Sequence, residues 1–387
     1  MVNSELINKK LEECRKNYLS IIKELNERKI KVTLNEVILK EPLRINLSAA
    51  WNDTPPYCNE NSGAILNAAI LINGVNPIEV TITKLKEPII ILDSKDQNAQ
   101  ETLNSKKQIN KYLESKEKLK LLKVSLIASG LFSFTKEDDW SSVIEKTGGF
   151  KISVQTIKIP IGSGLGTSSI IMYAIIKALY KYFGLEIEKE KIYQNVAIAE
   201  QLLKTGGGYQ DQIGAGEPGI KLIEFKPDGK FCKINIKKVE ISENTKKELS
   251  KRLLLIYTGF AREAKNTLKK MMGSYIINQN NERDIFKSIG KEASLMKESL
   301  EAGDIKTFGK QMVNGYNMNK AICENFSNEN IEKLIKILKP NIDGYMLQGA
   351  GNGGFLVAIL KENVNKQKVK QTLEETNAKI WNMEIQY

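Results

Sequence analysis

The sequence contains no histidine. That absence removes serine–histidine–aspartate and cysteine–histidine catalysis, zinc sites built on paired histidines, and any imidazole base. Proton transfer is left to a carboxylate, lysine, tyrosine or cysteine. Cysteine is scarce as well. Cys14, Cys58, Cys232 and Cys323 lie far apart and make no metal-type pair, so they read as free thiols in a reducing cytoplasm. Arginine is rare for so basic a chain: the net charge is +12, yet only six of the 58 basic residues are arginine (Arg15, Arg28, Arg44, Arg252, Arg262 and Arg283). Nucleic-acid readers lean on arginine with interleaved aromatics, and no such cluster occurs, so no nucleic-acid partner is expected. The lysine excess still favours the approach of anionic nucleotides. No apolar run reaches the length of a membrane span, so no membrane partner is expected either. Ile65–Ile72 and Leu253–Tyr257, the most apolar stretches, read as buried strands or core helix. The first twenty residues are polar, with Glu5, Glu12 and Glu13, and read as neither a signal nor a transit peptide. Nothing in the sequence bears on oligomeric state.

What is present is an ordinary globular composition, 41% hydrophobic and 27% charged, in a chain of 387 residues. That length calls for two domains. Residues 1–35 carry Leu6, Leu11, Leu19, Ile22 and Leu25 at helical spacing and form a helical N-terminal extension. Strands are expected at Val37–Leu39, Leu43–Leu47, Ala64–Ile72, Ile78–Ile82 and Ile89–Leu92. Residues 98–130 read as mostly helical. A strand at Phe150–Ile157 leads into a glycine-rich loop, followed by helices at Thr167–Phe183 and Lys189–Leu203, each stopped by glycine. Strands at Ile220–Phe225 and Phe231–Ile236 close the first domain, residues 36–240. Ile241–Ser250 is a link. The second domain, 241–387, reads as a strand at Leu253–Tyr257, several helices up to Leu338, strands at Tyr345–Leu347 and Phe355–Leu360, a helix at Val364–Thr376 and a last strand at Lys379–Ile385. The class is α+β.

Five stretches carry the chemistry. In Pro160-Ile-Gly-Ser-Gly-Leu-Gly-Thr-Ser-Ser169 the glycines let backbone approach a ligand, and Thr167, Ser168 and Ser169 open a helix whose unpaired N–H groups favour an anion. A flexible turn with a Ser/Thr cap is the plainer alternative; the flanking strand and long apolar helix favour phosphate binding. No lysine follows the last glycine, so this is no Walker A loop, and the third glycine is misplaced for a dinucleotide fingerprint. The second stretch, Gly206-Gly-Gly-Tyr-Gln-Asp-Gln-Ile-Gly214, holds Asp211 among glycines, with Glu200 eleven residues earlier. Two carboxylates beside a phosphate loop are what metal-assisted phosphoryl transfer needs, although an aspartate so placed, taken alone, is more often a turn residue than a base. In the third, Arg44 to Tyr57, an arginine on a strand and Asp53 in a proline-fixed turn line a polyol pocket or simply form a strand-to-turn connection. The fourth, Gln348-Gly-Ala-Gly-Asn-Gly-Gly354, is richer in glycine than a hairpin requires. Tyr257–Asn266 is the fifth, with Arg262 and Lys265 as a basic pair.

In this order the stretches resemble the GHMP kinases, from about residue 38 to the C-terminus. Pro160–Ser169 looks like the family's second motif and Gly349–Gly354 like its third. Trp51–Cys58 and Tyr257–Asn266 look most like the L-fucose kinase branch, with heptose 7-phosphate kinases close behind. The resemblance implies an N-terminal domain like ribosomal protein S5 domain 2 and a ferredoxin-like C-terminal domain, with ATP between them. Asp211 becomes the catalytic base, and Ser168 and Glu200 the Mg2+ ligands. Pro160, Gly162, Ser163, Gly164, Leu165, Gly166, Thr167, Ser168 and Ser169 hold ATP. Arg44, Trp51, Asp53, Tyr57, Gly207 and Arg262 are the substrate-binding set. The implied reaction is phosphorylation of a sugar at its anomeric hydroxyl, L-fucose first. A D-glycero-D-manno-heptose 7-phosphate kinase is the second reading, and a non-catalytic sugar or nucleotide sensor is an alternative of another class. Two departures stand out: Ala49-Ala50 occupy a usual glycine pair, and Asn352 replaces a glycine, a substitution that tolerates positive φ.

Overall fold

The computed structural model describes residues 2–22, 32–132, 140–157, 159–160, 162–260 and 267–387. The N-terminal half holds two five-stranded sheets. One runs in the order Glu36–Glu41, Ile78–Leu85, Gly149–Thr156, Ile90–Ser94, Ala99–Leu103. The other centres on Gly63–Ile72, which pairs antiparallel with Leu43–Asn46 on one part of its length and with Ile220–Asp228 on another. Phe231–Lys238 extends that sheet. The helix Thr167–Tyr182 packs on the first sheet, against the strands Ile78–Leu85 and Glu36–Glu41, and against the helices Lys120–Ala128, Lys189–Leu202 and Gln210–Gly216. Its residues Ile170 to Ile176 are all buried, the pattern of a helix enclosed on every side rather than laid on a surface. It starts at Gly166 and ends before Gly184, both left-handed.

In the C-terminal half a four-stranded antiparallel sheet, ordered Ile342–Leu347, Phe355–Leu360, Leu253–Tyr257, Lys379–Trp381, is covered by the helix Ile305–Ile322. The helix Glu282–Glu301 packs on Ile305–Ile322 and on the strand Gly63–Ile72 of the other half, so this helix pair bridges the two halves.

Four expectations change. Residues 98–130 begin with a strand, Ala99–Leu103, paired with Ile90–Ser94 through a tight turn at Lys95–Asn98; Asn98 takes the left-handed conformation that this turn needs. Trp140–Thr147 is an additional short helix. The link after Ile241 is itself a helix, Glu243–Arg252, capped by Ser242, whose hydroxyl accepts from the Thr245 N–H at 3.1 Å. The last strand is two: Lys379–Trp381 completes the C-terminal sheet, while Met383–Ile385 crosses back to pair with Ile70–Ile72. The chain's end therefore straps the two halves together.

The extension is helical over Val2–Ile22 and docks on the helices Lys189–Leu202 and Thr267–Ile277. Arg15 donates to the carbonyl of Gln201 at 3.0 Å. The Tyr18 and Tyr209 hydroxyls meet at 3.0 Å. Leu25 lies outside the described residues.

Candidate active site

Three of the glycine-rich or acidic stretches converge. Gly162, Gly164 and Gly166 have φ of 75°, 78° and 77°, a left-handed run only glycine adopts without strain. The loop is fastened from two sides. Arg44, 2% exposed on its strand, donates to the Gly164 carbonyl at 2.9 Å. From the C-terminal half the Phe355 N–H donates to the Ser163 carbonyl at 3.2 Å. A Cβ on Gly354 would lie 2.5 Å from that same carbonyl, which explains why this turn exceeds a hairpin's need for glycine. Asn352 sits at φ 60°, as its side chain allows. Gln348 locks the halves: wholly buried, it accepts from the Asn46 N–H at 2.7 Å and donates to the Asn46 carbonyl at 3.0 Å.

Asp211 lies in the first turn of a short helix, Gln210–Gly216. Its Oδ1 takes two bonds from Arg44, Nε at 2.7 Å and the terminal nitrogen at 2.6 Å. This is a bidentate guanidinium grip on a single oxygen, and it fixes the carboxylate's orientation. Among the described residues Oδ2 is met by the Ser169 hydroxyl alone, at 3.5 Å, and the side chain remains 24% exposed. Ser169 also donates to Glu200 Oε1 at 2.6 Å; Thr205 donates to Glu200 Oε2. Burial pushes the Glu200 carboxyl above the usual range, opposed by those two hydroxyl donors and reinforced by the charge of Asp211. Gly207 is held tight against this acid, since a Cβ there would lie 2.7 Å from Glu200 Cδ. Ser168, beside Ser169, faces solvent in the helix's first turn. Ser168 and Glu200 both offer oxygen, the donor type that a hard divalent cation takes.

Asp53 has a different place from a pocket lining. It is fully buried, and its Oδ2 accepts from the N–H groups of Tyr209 and Gln210 at 2.8 and 2.9 Å, so it caps the helix that carries Asp211. Trp51 and Tyr57 are core residues. The ring of Trp51 meets Phe326 edge-on at 5.4 Å, and that of Tyr57 stacks on Phe286 at 4.9 Å. Trp51 itself takes φ 87°, so the sharp turn falls there and not at Ala49-Ala50. Arg262 and Lys265 lie outside the described residues. Sequence reasoning passed over Asn67, Gln348 as a lock, and Thr205. Only Gln348 had a local signal, as the head of a glycine-rich run.

Burial pushes the Asp53 carboxyl up to about 6; the backbone donor at Gln210 opposes the rise and the Asp211 charge adds to it. An acid whose pKa is raised on folding binds its proton more tightly in the folded state. Its contribution therefore favours folding at low pH and is lost as pH rises from the unfolded value of 3.8 through about 6. Asp53→Asn keeps an acceptor without the charge. Relative to wild type, the variant is expected to gain about 2–3 kcal/mol between pH 4 and pH 7. Urea unfolding of both proteins at the two pH values measures this, and a pH-independent difference would rule out the raised carboxyl.

A cavity of about 490 Å³ lies beside this centre without reaching Asp211. Its walls come from the N-terminal helix (Leu11, Arg15), Pro55, the Lys204–Gly206 turn and the helix Thr267–Ile277, including Lys269. Among the described residues no cluster of three or more acidic, cysteine or histidine side chains forms a metal site. No helix among them is long and apolar enough to cross a membrane.

A glycine-rich loop opening a buried helix, an arginine-gripped aspartate and a second glycine turn closing from the other half define a two-domain kinase architecture. The pattern of the GHMP kinases N terminal domain matches residues 133–217, and that of the GHMP kinases C terminal matches residues 296–379. The chain belongs to the GHMP kinases. It is 30% identical over 339 residues to the L-fucokinase/L-fucose-1-P guanylyltransferase of Bacteroides fragilis, covering 87% of this chain and 36% of that protein. The chain thus spans about a third of that relative's length. It is 28% identical over 338 residues to the D-glycero-alpha-D-manno-heptose 7-phosphate kinase of Campylobacter jejuni, covering 86% of this chain and 92% of that one. The solved mevalonate kinase of Methanococcus jannaschii superposes with a TM-score of 0.66 at 20% identity, covering 91% of this chain and 99% of that one. At that identity it speaks for the fold alone.

Proposed function

We propose that this chain is an ATP-dependent sugar kinase that phosphorylates the anomeric hydroxyl of L-fucose. The observation that carries the kinase reading is the geometry of Asp211, with one oxygen gripped by Arg44 and the other left beside the helix that the glycine-rich loop opens. The ATP phosphates lie against that loop, where unpaired N–H groups and the helix dipole meet negative charge. The sugar hydroxyl attacks the γ-phosphorus. An oxygen–phosphorus bond forms, the bond to the β-phosphate oxygen breaks and ADP leaves. The hydroxyl proton passes to Asp211 Oδ2. Arg44 holds that carboxylate in place and fastens the loop through Gly164, so one guanidinium registers base and phosphates together. Ser168, exposed in the helix's first turn, and Glu200, on release from the Ser169 or Thr205 hydroxyl, would hold Mg2+, which when bound neutralises charge on the transferring phosphoryl group. L-fucose as acceptor is supported by the likeness to the Bacteroides fragilis fucokinase.

A second acceptor, a heptose 7-phosphate, is favoured by a specific feature, the basic wall of the neighbouring cavity. Arg15, Lys204 and Lys269 line it against one acid, Glu12, and Arg15 pairs with Glu12 at 3.1 Å. A phosphorylated sugar suits such a wall, whereas a neutral deoxysugar has no use for it. Turnover of Mg2+-ATP with each sugar decides. We expect kcat/KM for L-fucose at least about tenfold above that for the phosphorylated heptose. The reverse order would move the acceptor assignment and leave the kinase reading standing; turnover with no sugar in a broad panel would leave only a sensor.

A further inference from the structure

We infer that Lys221 is a positioning residue for Asp211: its buried side-chain nitrogen holds the C-terminal end of the short helix that carries the base. Lys221 is 1% exposed, in a strand whose neighbours Ile220, Leu222 and Ile223 are apolar and buried. A charge buried in such a setting is costly unless fully hydrogen-bonded. Its Nζ donates to three backbone carbonyls, Gly214 at 2.6 Å, Gly219 at 3.2 Å, and Glu217. These belong to the last turn of Gln210–Gly216 and to the chain just beyond it, where a helix leaves carbonyls without partners and its dipole is negative.

The opposite end of the same helix is held by a buried acid. Asp53 takes the N–H groups of Tyr209 and Gln210. Between the two clamps Asn67, directly paired with Lys221 across the sheet, donates to the Gln210 carbonyl at 3.0 Å. Gly214 rests on the strands so closely that a Cβ there would lie 2.7 Å from Asn67 Nδ2 and 2.8 Å from Arg44 Cβ. A helix of seven residues has no independent stability in water. Its orientation, and with it the direction of Asp211, depends on these contacts. Arg44 fixes the carboxylate; Asp53, Asn67 and Lys221 fix the backbone beneath it. Released from Lys221, the helix is free to tilt about the Gly214 contact and carry Asp211 out of line with the reacting hydroxyl.

The inference rests on Asp211 being the base, so Asp211→Asn is measured alongside. The full chain is assayed with Mg2+-ATP and whichever of L-fucose and the heptose 7-phosphate turns over faster. Lys221→Met removes the charge and every donor at similar length; Lys221→Gln keeps a neutral donor one atom shorter. The expected result is a kcat about tenfold lower for Lys221→Met, with KM for ATP within about twofold of wild type, and at least about threefold recovery of kcat in Lys221→Gln. A purely structural role would lower the melting temperature and the folded fraction but leave kcat per folded molecule, measured with ATP-site titration, unchanged. That outcome overturns the inference, as does failure of both variants to fold. Normal kcat in Asp211→Asn would instead remove the base assignment, whatever the Lys221 variants do.

Discussion

Asp211→Asn is expected to lower kcat by about a hundredfold or more, while the affinity for ATP stays within about twofold. The substitution is nearly isosteric, and the amide oxygen can still accept from Arg44, so the guanidinium retains its contact with Gly164 and the loop keeps its shape. What disappears is the second oxygen as a proton acceptor. Without histidine anywhere in the chain, few groups can replace it. Glu200 is the carboxylate joined to Asp211 through the Ser169 hydroxyl, but both its oxygens already accept from hydroxyls, of Ser169 and Thr205. Steady-state kinetics and calorimetric titration with ATP measure the two quantities. A kcat within threefold of wild type would mean that positioning of the phosphates alone drives transfer.

The parts of this site that were legible in the sequence are those whose chemistry is local. The glycine run Gly162–Gly166 followed by hydroxyls announces a left-handed loop opening a helix, and Gly206–Gly208 announces a tight approach ahead of Asp211. Long apolar helices such as Thr167–Tyr182 were equally plain, because their ends are marked by glycine. What stayed hidden depends on partners distant in the chain. Gln348 completes its role only by pairing with Asn46, 302 residues away, and Asn67 only by reaching Gln210, 143 residues away. The Asp53 segment was read from its residue types as a pocket, since a carboxylate beside aromatics and prolines fits a sugar. In the fold those aromatics face Phe326 and Phe286 and the carboxylate faces backbone N–H groups. The last strand misled for a related reason. Its apolar alternation gave strand correctly, but periodicity within Lys379–Ile385 cannot say that the chain changes sheets at Asn382, whose carbonyl instead accepts from Asn73 at 3.0 Å.

Gly166→Ala should be almost as damaging as loss of the base itself, although it removes no functional group. Gly166 has φ 77° and stands at the start of the helix Thr167–Tyr182. A Cβ there would lie 2.8 Å from Asp211 Cγ and 3.0 Å from Asp211 Cβ, distances that force one of them to move. Asp211 is held by Arg44, and the loop by Arg44 and by Phe355, so relief displaces the base relative to the phosphates. A shift of about 1 Å in such a site costs on the order of a hundredfold in rate. The left-handed backbone adds only about 1 kcal/mol of strain for alanine, small beside a typical folding stability of about 5–15 kcal/mol. The variant should therefore fold, bind ATP more weakly and lose about a hundredfold in kcat/KM. Gly229→Ala is the matching control: its φ is 63° and a Cβ there has nothing within 4 Å, so it carries the same backbone strain without the collision. Its kcat/KM should stay within twofold of wild type. Equal kcat/KM in the two alanine variants would show that the close approach of Gly166 to Asp211 has no catalytic consequence.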